Sequence, residues 1–329
     1  DSRHAANDPE NNLIDSNLKP VQTREFTIGV DKELNRIMSI GARYVHKWFI
    51  RTIEDTGVQV PNVGEIFYIA NPGDGLGAFP LGEEYPRTPY PKRVYDGVDF
   101  TFRRRLSNNW FLTTNVLVSR LWGNYSGLTS TDEGSRNSPN VNRFFDGLYM
   151  SFDSKGNAVY GRLQNDRPFQ FKVQAGYVMP WGTQVGVNYF AASGYLNSST
   201  VTYKSVPVFY AGRGDLGRSP TYSQTDLNFT HRFRLPKNLR ADLQLNIDNL
   251  FDQDTWTTLA TAPYRDSLTL PRVCRSATDI GCDDVFFKGF DLTAAMAARS
   301  PAGRPNKTYN QPNAFQSARG ARLMMKLLF

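Results

Sequence analysis

The chain has 329 residues, a formal net charge of +7 and a mean hydropathy of −0.47. No segment approaches the ~18 consecutive apolar residues of a membrane-crossing helix, which excludes a helical membrane protein but leaves a β-barrel open, because barrel strands alternate and average out hydrophilic. Apart from Arg103-Arg104-Arg105 the charge is dispersed, so it reads as hydrated surface and no nucleic-acid partner is expected.

Residues 1–20 are polar, lack the basic n-region and apolar h-region of a signal peptide, and read as a loop or terminal segment. An exported protein carries such a signal somewhere, so either it has been removed or the chain is a downstream piece of a longer precursor. From residue 21 onward apolar residues recur with period two, the mark of strands with two unlike faces. The first predicted strand covers 23–32, with Phe26, Ile28 and Val30 in phase, and the second covers 38–48. A third carries Val94, Val98, Phe100 and Phe102, and a fourth covers 110–118. Over 169–177, Phe169, Phe171, Val173, Ala175 and Tyr177 alternate with Gln170, Lys172, Gln174 and Gly176. Val185, Val187 and Tyr189 mark a sixth strand; Leu227, Phe229 and Phe233 mark a seventh. In 239–248 one face is Leu239, Ala241, Leu243, Leu245 and Ile247, and the other is Arg240, Asp242, Gln244, Asn246 and Asp248. The last strand, 322–329, places Leu323, Met325, Leu327 and Phe329 in one phase.

These stretches run to roughly 9–12 residues, the length of a tilted bilayer-crossing strand, whereas strands of soluble domains average about 5–6. Short connections at Leu34-Asn35-Arg36, Ser107-Asn108-Asn109, Pro180-Trp181-Gly182 and Pro236-Lys237-Asn238 alternate with long ones near 54–92, 124–167, 193–222 and 252–314. Outer-membrane barrels show that asymmetry, with short periplasmic turns and long extracellular loops, while loops beyond about 15 residues are uncommon in compact domains. The predicted fold is therefore all-β: a partial transmembrane antiparallel β-barrel of roughly nine strands. Single-chain bacterial barrels have an even number, so an odd set reads as the C-terminal part of a larger barrel over 21–329. Trp110 and Trp181 beside short turns, and Trp48, Tyr95 and Trp122 at the opposite strand ends, read as the two aromatic girdles.

Candidate chemistry is sparse. His46 and His231 share the apolar phase of their strands and His4 lies in the polar tail, so no base is placed to reach a substrate and no catalytic, metal or cofactor site is expected. Cys274 and Cys282 are the only cysteines; a local disulfide in an oxidising compartment fits, with two free thiols as the alternative. On the polar face, Asp99, Arg103, Lys172, Gln174, Arg232, Arg234, Arg240, Asp242 and Asp248 point to the lumen, where they contact a solute or plug, or are hydrated wall. Arg213-Gly214-Asp215 matches an adhesion tripeptide but sits in a Gly-rich segment and reads as a turn.

Several segments resemble TonB-dependent receptors, and within them the Oar-like group. They are Tyr95-Asp96-Gly97-Val98-Asp99-Phe100-Thr101-Phe102, Ser119-Arg120-Leu121-Trp122-Gly123-Asn124-Tyr125-Ser126-Gly127-Leu128, Asp166-Arg167-Pro168, the Gly212 to Pro220 segment and Asn249-Leu250-Phe251. The resemblance implies a barrel of about 22 strands in the cell outer membrane, occluded by a plug and energised through TonB. Expected partners are outer-membrane lipid, a plug domain and TonB if the chain is part of a longer one, and a large solute such as a metal chelate, glycan or peptide. The resemblance also makes Leu323, Met325, Leu327 and Phe329 the signal read by the barrel-assembly machinery. No plug, TonB-contacting segment or carboxypeptidase-regulatory-like domain is recognisable, so gating is not assigned. The alternatives are an adhesion or surface-assembly protein that uses the barrel as an anchor, and a passive porin.

Overall fold

The computed structural model describes residues 13–60, 64–78, 86–127, 145, 147–204, 206–234, 236, 239–271 and 284–328. Nine strands pair, each with the next in sequence, into one antiparallel meander. They are β1 (Gln22–Asn35), β2 (Met38–Arg51), β3 (Arg93–Ser107), β4 (Trp110–Gly123), β5 (Phe169–Val178), β6 (Thr183–Ala192), β7 (Tyr222–Arg234), β8 (Arg240–Asp248) and β9 (Gly320–Leu328). All nine predicted strands are found, in the predicted order. The arc is open, with β1 at one edge and β9 at the other.

The register places like with like across the sheet. Leu227, Phe229 and Phe233 of β7 stand opposite Ile247, Leu245 and Ala241 of β8, and those stand opposite Ala321, Leu323 and Leu327 of β9. On the other side of the same strands Asn228 faces Asn246 and Arg232 faces Asp242. A slip of one residue would exchange every one of these pairs, which is why a strict two-faced pattern fixes register. The apolar face is exposed as an unfilled wall should be: Phe26, Ile28, Val30, Phe100, Phe169, Leu323 and Met325 are each exposed. Two cavities, of about 510 and 330 Å³, open on the polar side around Asp99 and Asn228, marking it as the concave, lumenal face.

The tight connections close by local chemistry. Asn108 and Asn109 take φ values of 49° and 70°, the left-handed region that Asn tolerates and that two-residue hairpin turns require. Asn35 Oδ1 accepts from the backbone N–H of Ile37 and Met38, both at 2.9 Å. Leu34 and Asn35, expected in that turn, instead end β1. At the β3–β4 turn Arg104, whose phase is lipid-facing, folds back over the Trp110 ring at 3.5 Å and donates to the Ser107 carbonyl at 3.0 Å, so it is only 5% exposed. The first four strands are longer than expected, at 14 or 15 residues; at their outer ends β1 stays paired with β2 past Trp48 to Arg51, and β3 with β4 past Trp122 to Gly123.

The two faces make a sharp prediction. Phe100 lies midway along β3 on the apolar face and Thr101 beside it on the lumenal face. In the full-length protein, Phe100→Arg should cost about 2–4 kcal/mol and Thr101→Arg far less. Urea titration of the barrel in lipid vesicles reads the difference; equal losses would mean the faces are assigned wrongly.

Candidate functional site

The residues expected to face the lumen share the polar side of the wall in register, opposite the apolar phase, but they do not converge. Asp99 accepts from Asn115 Nδ2 at 2.6 Å and Thr101 Oγ1 at 2.9 Å and, with Arg103, lines the 510 Å³ cavity. Lys172 and Gln174 stand in register beside Asn115 and Thr113. Arg232 grips Asp242 through two bonds, Nε at 2.8 Å and Nη2 at 3.0 Å, which leaves neither free for a ligand. Arg234 and Arg240 face each other one step nearer the periplasmic end, and Asp248 lies at the outer end of β8 opposite Gly320. These groups are spread over both ends of the wall, the distribution of a hydrated lining rather than of one site.

A cavity of about 800 Å³ lies at the outer end of the lumenal face and contains none of them. Its floor is Asn188 and Phe190 of β6 and Gln224 and Asp226 of β7; its walls come from Arg167, Tyr195, Phe315 and Gln316. Arg167 sits among three rings, 4.6 Å from the Tyr195 centroid, 5.4 Å from Phe190 and 5.7 Å from Tyr222. Its Nε donates to the Ser193 carbonyl at 2.8 Å and its Nη1 to Tyr195 Oη at 3.4 Å, while Nη2 is buried without a partner. Burial lowers its pKa, yet a guanidinium remains charged at any physiological pH. Gln316, more than nine-tenths buried, donates through Nε2 to the Ser223 carbonyl at 2.9 Å and leaves Oε1 unused. Asp226, by contrast, is saturated by Asn249 N, Gln224 Nε2 and Asn188 Nδ2 at 3.0, 2.8 and 3.3 Å. The cavity thus offers one positive charge, one unspent donor, one unspent acceptor and aromatic surface. Sequence alternation missed Arg167: extending β5 back from Phe169 puts it on the lipid face, but the chain leaves the ladder at Pro168.

Around the cavity the long connections fold into a structured body. Residues from 148–152, 201–208, 268–270 and 286–296, contributed by three different connections, share one buried apolar core. At its centre Phe286 of the short helix α1 (Asp284–Lys288) meets Tyr149 and Tyr203 at ring distances of 5.0 and 5.2 Å; a second helix, α2 (Leu292–Ala297), supplies Leu292 and Met296. Asp166, fully buried, accepts from Leu121 N at 2.6 Å and pairs with Arg162 at 2.8 Å and with Arg218. The Arg304 guanidinium and backbone N–H hold the Asp266 carboxyl well below the usual carboxylate range, tying 266 to 304. The adhesion-like tripeptide is spent internally: Asp215 accepts from Ser199 N at 2.7 Å and from Ser199 Oγ, and Arg213 lies 4.4 Å from the Phe209 ring.

Of the other expected positions, Leu323, Met325 and Leu327 lie exposed on the apolar face of β9, at 67, 69 and 51%. Phe329, Cys274 and Cys282 fall outside the described residues. His46 and His231 lie on the apolar face as expected, where His231 meets Thr183 Oγ1 at 2.8 Å. His46, however, has an acidic partner there: Asp96 Oδ1 accepts from its Nδ1 at 2.7 Å and from Tyr44 Oη at 2.9 Å. Asp96 was visible in sequence as the polar break between Val94 and Val98. No group of three or more potential metal ligands occurs among the described residues.

Comparison with known proteins agrees with this architecture. The family described as TonB dependent receptor-like, beta-barrel, matches residues 4–250. The chain is 26% identical over 329 residues to the TonB-dependent transporter Oar of Myxococcus xanthus, an alignment that covers 96% of this chain and 29% of that protein. The chain thus spans less than a third of the length of this curated relative. Among solved structures, the outer membrane transporter YddB from Escherichia coli aligns with a TM-score of 0.47 at 12% identity, over 74% of this chain and 30% of that one. The ferric-catecholate import receptor Fiu from E. coli K12 aligns with a TM-score of 0.39 at 13% identity, over 93% and 28%. With three quarters of its length matched by the family, this two-faced nine-stranded wall belongs to the TonB-dependent receptors and is part of an outer-membrane β-barrel.

Proposed function

We propose that this wall belongs to a receptor that imports a large polar solute across the outer membrane, with a plug domain and TonB supplied by the rest of the protein. The solute docks in the outer cavity, where Arg167 draws an anionic group and Gln316 accepts from an N–H or O–H, as a peptide or an acidic chelate would provide. The single observation that carries this reading is the 800 Å³ lumenal cavity with one cation, an unspent donor and an unspent acceptor. An adhesion role for the loops gains nothing from Arg213-Gly214-Asp215, whose acid is bound internally.

The test is depletion of solutes from spent medium by cells carrying the full-length gene, its Arg167→Ala variant or a TonB knockout. Loss of a charge-assisted contact costs about 1.5–3 kcal/mol, so the variant should slow uptake of the transported solute at least tenfold while Asp242→Asn does not. Uptake that persists without TonB would identify a passive pore. Identical media from cells with and without the gene would point to the anchor role.

A further inference from the structure

Part-way down the lumenal face the wall carries a slot. Phe111, Gly176, Gly186, Asn228, Asn246 and Arg322 lie in one register row across β4–β9. A glycine weakens a strand interior, and where its backbone is ordinary strand it often marks a place that another group approaches closely. Gly176 has that group: a Cβ there would run into the Phe111 ring. Gly186 has none among the described residues. Its backbone is regular strand, and a Cβ would meet only Asn228 Cβ at 3.7 Å and the Ala175 carbonyl at 4.0 Å. A cavity of about 330 Å³ opens over it, with Phe111 toward one side of the row and Asn228 and Asn246 toward the other.

This inner cavity is continuous with the outer one, because Asn188 and Asp226, one lumenal row nearer the outside, line both. From Gly186 to Phe190, whose ring lies 5.4 Å from the Arg167 guanidinium, the strand advances four residues, ~14 Å at the usual rise. An extended peptide crosses that distance with about five residues, counting the one held at Arg167. The lining between suits a peptide backbone, since a primary amide offers a donor and an acceptor together, as each peptide unit does. Among the described residues no hydrogen bond engages the Gln174 amide, Asn188 Oδ1 or Asn246 Nδ2. At the outer end Gln316, more than nine-tenths buried, keeps Oε1 unspent, and Arg167 keeps Nη2. Only an elongated solute uses both ends of this run at once.

We propose, resting on the import reading above, that the slot over Gly186 is a second, inner station on the lumenal wall and that the solute is a short extended peptide. Its C-terminal carboxylate sits at Arg167, its backbone amides run past Asn188 and Gln174, and a side chain about four residues back enters the slot beside Phe111. Gly186 is then a specificity-determining residue, since the room it leaves sets how large that side chain can be.

The test supplies cells carrying the full-length gene with four synthetic pentapeptides, each with a free C-terminal carboxylate and with glycine, alanine, leucine or phenylalanine at the first position, and follows their depletion by mass spectrometry. Gly186→Ile should slow uptake of the leucine and phenylalanine peptides at least tenfold and leave the other two within twofold. Gly186→Ala, a smaller filling, should discriminate only against phenylalanine, and Arg167→Ala should slow all four. Folding of each variant is read from its heat-dependent shift on SDS gels. Equal slowing of all four peptides by Gly186→Ile, as when a plug segment fills the slot, would overturn the station, and so would no change. If wild type takes up none of the four yet still depletes another solute from spent medium in a TonB-dependent way, the peptide assignment fails while the import reading stands.

Discussion

Asp166→Ala is expected to release the extracellular body while leaving the wall intact. The carboxylate is fully buried and serves the Leu121 N–H, Arg162 and Arg218 at once, so its loss strands a backbone donor and a largely buried guanidinium. Breaking such a pair from one side costs about 3–5 kcal/mol, most of it from Arg218, because Arg162 is half exposed and water replaces its partner. Asp166→Asn keeps an acceptor for Leu121 and should fall between. Limited proteolysis of the full-length protein should cut the 193–221 connection in the alanine variant, with the barrel still shifting on SDS gels only when boiled. An unchanged cleavage pattern would mean Asp166 is not the pin.

Phe286→Ala should have an effect of similar size by a different route. The ring is fully buried, with Tyr149, Tyr203, Phe287 and Phe290 within 5.0–5.3 Å centroid to centroid. Truncation loses its burial and leaves a cavity that the β-strand ends cannot collapse into, about 3–5 kcal/mol. Because Phe286 shares its core with two other connections, tryptic sites in all three should open together. Phe251→Ala, on a ring 68% exposed, is the control and should change little. Cleavage confined to residues around 286 would contradict a shared core.

The wall was legible in the sequence because each strand carries its own two-faced pattern and pairs with its neighbour in the chain. Leu239 to Asp248 needs no distant information to say which side is lipid, and β8 obeys it from Arg240 on. The cavity was not legible, since Arg167, Phe190 and Gln316 come from three separate connections or strands and meet only through the fold. The loop core was hidden for the same reason: Tyr149, Tyr203 and Phe286 sit in short elements with no repeating period, and long-range packing alone makes them interior. Asp96 stood between, a polar break in an apolar phase that reads as noise until the register sets His46 and Arg120 beside it.

The shared core of the three outer connections also sets how the receptor's mouth moves. Separate loops would each swing about their own hinges, independently and fast. Loops fused through Phe286, Tyr149 and Tyr203 form a single lever whose feet are the hairpin ends of β4–β5, β6–β7 and β8–β9, so a push on one is delivered to six strands at once.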